Sequence, residues 1–83
     1  MKVDNYDDYG GGFSLTQFKN EISNEPTTRT LTRVIIQPQR RAKVVWFDSY
    51  GANGSTVWGH ITPDDAEMLG LILVLSARRT REG

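Results

Sequence analysis

His60 is the only imidazole among 83 residues that include no cysteine. If residues 46–61 form a hairpin, Asp48, Ser49, Tyr50 and Ser55 come within reach of it, a grouping that could place a hydroxyl nucleophile beside a base and an orienting carboxylate. None of them sits in a nucleophile motif, and a domain of this size has little depth for a water-excluding pocket. The sequence therefore points to a protein that is not an enzyme. One histidine without thiols leaves almost no ligand set for a metal, and no cofactor is expected. Gly10-Gly11-Gly12 precedes Phe13-Ser14 but lacks a following Gly-Lys-Ser/Thr, so it reads as a tether and not as a phosphate cradle.

Binding chemistry is better represented. Arg29, Arg33, Arg40, Arg41 and Lys43 cluster in a segment without acids, with Trp46 and Trp58 nearby, and cations interleaved with aromatics are the composition of single-strand nucleic-acid binders. Against this, ten basic and ten acidic side chains cancel over the whole chain, so no global field attracts a polyanion. The charges fall in blocks: residues 1–25 acidic, 26–45 basic, 46–67 acidic and 68–83 basic. A second candidate surface comprises Tyr6, Tyr9, Tyr50 and Trp58 with the loop around Asn53. Tyrosine and tryptophan anchor protein interfaces because each offers a large rigid contact area with a polar tip.

The elements that would position these groups follow from local signals. Residues 1–12, with three aspartates, two tyrosines and three glycines, read as a flexible acidic and aromatic arm ahead of a single domain over 13–83. Ser14 and Gln17 have capping-box spacing, Phe13 can staple onto Phe18, and Leu15, Phe18 and Ile22 form one stripe, which predicts a helix from Phe13 to about Asn24. β-Branched residues from Thr28, a turn at Pro38–Arg41, a strand over 42–48, the Asn53-Gly54 pair and a strand at Thr56–Ile61 predict a three-stranded antiparallel meander. Thr62-Pro63-Asp64-Asp65 starts a second helix, running to about Arg79. The expected fold is thus α+β, a three-stranded meander with an N-terminal and a C-terminal helix packed on it.

The C-terminal helix carries large apolar side chains from Met68 to Leu75 around most of its circumference, whereas packing on one sheet needs a single stripe. Ala66, Gly70, Leu71, Val74 and Ala77 offer a side on which another backbone approaches closely, so either the first helix covers it, or a second copy of the chain in a homodimer or a foreign protein does. No stretch reaches the length of apolar sequence that spans a bilayer, and no secretory signal is readable, so the expected location is the cytoplasm, without membrane contact. The function expected from these features is protein–protein binding by a small module, of a size that suits an adaptor or inhibitor carried by phages or other mobile elements. A nucleic-acid-binding sheet and a structural subunit of a larger assembly are the alternatives.

Overall fold

The structure, a computed structural model, describes residues 1–6, 11–19, 30–52, 54 and 56–82. Five antiparallel strands, β1 (Lys2–Asn5), β2 (Phe13–Thr16), β3 (Leu31–Gln39), β4 (Val44–Gly51) and β5 (Thr56–Ile61), form a sheet in chain order. The helix α1 (Pro63–Glu82) follows.

Cross-strand register sorts the side chains into two unlike faces, because neighbours directly opposite one another share a face. Asp4, Ser14, Ile35, Asp48 and Trp58 form one row, flanked by Arg33 with Tyr50 and by Gln37 with Trp46 and His60. This face is polar and aromatic. The reverse face is apolar, with Phe13, Ile36 and Phe47 in one row and Val3, Leu15, Val34 and Val57 in the next. Among the described residues the buried apolar side chains are Val34 and Ile35, adjacent on β3 and so one on each face. The core is therefore thin, centred on the middle strand, where neighbours lie on both sides.

Among the described residues, left-handed backbone occurs at Gly11 and Gln17, on either side of β2, and in the two turns that flank β4. The loop of residues 40–43 joins β3 to β4 and ends with Lys43 at φ 57°, left-handed backbone in which a side chain is strained. Gly54, at φ 83°, donates its N–H to the Gly51 carbonyl (3.1 Å) in the β4–β5 turn. Pro38 lies within β3 and pairs with Val45, but the pairing of β2 to β3 stops at Ile36, so its missing N–H removes no bond to β2.

α1 begins as its sequence predicts. Thr62 Oγ1 accepts the Asp65 N–H (3.1 Å), the Thr62 carbonyl accepts the Ala66 N–H (2.9 Å), and Asp64 and Asp65 occupy the positive end of the helix dipole. The helix continues unbroken through Leu71–Ala77 to Glu82.

The expected three-stranded meander with two helices is corrected at its N-terminal half. Phe13–Thr16 is a strand, paired on one side with β1 and on the other with β3. The capping-box spacing of Ser14 and Gln17 yields to these ladders: Ser14 is 8% exposed and its hydroxyl accepts Arg33 Nε (3.4 Å) instead of capping a helix. The rest of the expected helix, from Asn20 onward, lies outside the described residues. Within the expected arm, Lys2–Asn5 is a strand of the sheet, and the Tyr6 N–H extends its hairpin by bonding the Gly12 carbonyl (2.9 Å). The glycine run thus leads into a strand.

Candidate functional site

One close backbone approach brings the start of β2 against β3. A Cβ on Gly12 would stand 2.6 Å from the Ile36 carbonyl oxygen and 2.8 Å from Gln37 Cγ, so only glycine lets β2 enter at this spacing. Tyr6, Gln37, Gln39, Trp46 and Asp48 surround a cleft of about 310 Å³ on the polar face. Gln37 lies at its base, 5% exposed.

Aromatic rings on this face are held by polar neighbours. Trp46 Nε1 donates to Asp48 Oδ2 at 2.9 Å, a charge-assisted bond that fixes the indole. Trp58 packs on that ring, with centroids 5.5 Å apart and planes 30° from parallel, while remaining 65% exposed. Across the sheet the Arg33 guanidinium lies 5.9 Å from the centre of the Tyr6 ring, within cation–π range. Signs are mixed throughout: Lys2 and Asp4 form an exposed ion pair at 3.8 Å, and Arg33 and Asp48 project from the same face.

Of the residues singled out from sequence, Tyr6, Tyr50 and Trp58 come to this one face, Tyr50 half-buried opposite Arg33. Tyr9 and Asn53 lie outside the described residues. The basic set is divided. Arg40, Arg41 and Lys43 are exposed in the β3–β4 turn, Arg33 is roughly 20 Å away along the strand at about 3.3 Å per residue, and Arg29 is outside the described residues. The hydroxyl–imidazole grouping does not assemble around Ser49. Its side chain is on the reverse face from His60, donating to the Val57 carbonyl (3.1 Å), while Asp48 is engaged by Trp46. Ser55 is outside the described residues.

Sequence reasoning missed Gln37, Ser14 and the part played by Asp48. The signal for Asp48 was the alternation Val44, Trp46, Asp48, Tyr50 against Val45, Phe47, Ser49, in which Phe47 serves the apolar face and Trp46 the polar one. The apolar face is incompletely covered: Phe13 and Val57 are exposed, and a cleft of about 220 Å³ separates Phe47, Val57 and Ile61 from Leu69 of α1. Among the described residues none of α1 is buried, and a Cβ at Gly70 would meet nothing within 4 Å beyond the helix's own backbone. Among the described residues, no helix is long and apolar enough to cross a membrane. No family model, curated protein or solved structure matches this chain.

Proposed function

We propose that this protein is a non-enzymatic binding module that presents the polar, aromatic face of its sheet to a protein partner. The observation that carries the reading is Trp58, 65% exposed yet packed on Trp46, which Asp48 holds in place. An exposed indole with its orientation already set loses little entropy on binding, which is the property of an interface anchor. The mixed charges of Lys2, Asp4, Arg33 and Asp48 suit a protein surface, where hydrogen bonds of both polarities are available.

A protein captured by the immobilised chain, then purified, is expected to rebind wild type directly and to lose about thirtyfold or more in affinity against Trp58→Ala. The circular-dichroism melt of this variant stays close to wild type, since the indole contributes mainly one ring contact of about 0.5–1.5 kcal/mol. Equal affinity of wild type and variant for the purified partner would refute the assignment.

Nucleic acid is a second reading, supported by the position of the basic turn. Arg40, Arg41 and Lys43 end three residues before Trp46, and none is ion-paired among the described residues. That reading expects binding of a labelled single strand at low salt, with Arg40→Gln/Arg41→Gln reducing the salt slope by up to about two. The protein-partner reading expects no such shift.

A further inference from the structure

We infer that α1 is the interface of an antiparallel homodimer, in which its acidic first half pairs with the basic second half of a second copy. The inference concerns a different surface from the aromatic face and stands independently of the function proposed for that face.

The argument begins from spacing. Asp64, Glu67, Leu71, Val74, Arg78 and Arg81 recur at alternating intervals of three and four, the repeat that keeps one helix face against another helix. At about 100° per residue these six side chains lie within roughly one-third of the circumference, on the side opposite Leu69, which faces the sheet. The face reads acid, acid, apolar, apolar, base, base. The helix dipole accounts for the sign at each end, but it does not require the charges to share one stripe with Leu71 and Val74.

Placed against its own copy by a two-fold axis midway between Leu71 and Val74, the stripe is self-complementary at every layer. Leu71 meets the partner's Val74, Glu67 meets the partner's Arg78, and Asp64 meets the partner's Arg81, each contact occurring twice. A parallel pair would instead oppose acid to acid and base to base. Among the described residues nothing is packed over the stripe to bury it. Leu71 is 51% and Val74 49% exposed, and none of the four charged side chains is ion-paired among the described residues. Gly70 and Ala77 flank one edge of the stripe, where small side chains permit close approach, and Met68 and Leu75 add apolar area along the other.

The area is sufficient. A helix of 20 residues is about 30 Å long, and contact along it buries on the order of 600 Å² per chain, the lower end of what specific association requires. A micromolar dimer is therefore expected.

Light scattering across about 1–100 µM should show conversion from monomer to dimer. A chain that remains monomeric at about 100 µM overturns the inference, whether it then binds a foreign protein or sediments with anionic phospholipid vesicles. Two charge-reversed variants, Asp64→Arg/Glu67→Arg and Arg78→Glu/Arg81→Glu, should each dimerise at least about tenfold more weakly. Their equimolar mixture should recover a heterodimer. Recovery separates charge pairing from damage to the helix, because each variant carries the same unfavourable dipole interactions alone and in the mixture. Failure to recover would count against the interface. The absence of native cysteine makes introduced thiols unambiguous: Asp64→Cys should cross-link to Arg81→Cys on a second chain and not to itself, and self-cross-linking of Asp64→Cys would overturn the antiparallel arrangement.

Discussion

Gly12→Ala tests the close backbone approach of β2 to β3. The added methyl would lie 2.6 Å from the Ile36 carbonyl oxygen, 2.8 Å from Gln37 Cγ and 3.1 Å from Gln37 Cα. Gln37 Cγ can move by a rotamer change, but the two backbone atoms belong to the central strand and cannot move without loosening the ladder. Overpacking against such a wall costs about 1–3 kcal/mol. A domain of 83 residues has a total stability of roughly 4–12 kcal/mol at 0.05–0.15 kcal/mol per residue, so the loss is a large share. Urea unfolding at fixed protein concentration should give a lower midpoint at unchanged slope, and the melting temperature should fall by about 4–8 °C per kcal/mol. Gly59→Ala is the matched control, because its Cβ meets nothing within 4 Å and its φ is not in the left-handed region. If Gly12→Ala were as stable as Gly59→Ala, β2 would not lie where the structure places it.

Two further substitutions test local features on which the faces depend. Lys43→Gly should raise stability by about 0.5–1 kcal/mol, the cost of left-handed backbone less the extra chain entropy of glycine, whereas Lys43→Ala should not; the comparison needs only thermal melts. Thr62→Ala removes the hydroxyl that accepts the Asp65 N–H and should cost about 1 kcal/mol, with far-ultraviolet dichroism reporting a frayed helix start.

What the chain declares locally, it declares clearly. The cap at Thr62, the proline at the first helical position and the acidic first turn place the start of α1 from adjacent residues alone, and no tertiary contact is needed to draw it. β4 and β5 are similarly legible, since β-branched and aromatic residues alternate on either side of a glycine-containing turn and their partners are near in sequence. The N-terminal half is different. Phe13-Ser14-Leu15-Thr16 satisfies a helix-start pattern and an alternating strand pattern equally well, and the choice is made by ladders to Lys2–Asn5 and to Arg33–Ile36. Once β2 is paired on both edges, its backbone groups are satisfied without a helix and Ser14 is buried against Arg33, which local propensity of a few tenths of a kcal/mol per residue cannot oppose. The functional face has the same origin. Residue types alone mark Trp58, Tyr6 and Arg33 as candidates, but their gathering on one side, with Gln37 beneath and Trp46 fixed by Asp48, depends on register across five strands. A shift of one residue in any pairing would send that strand's contribution to the apolar side.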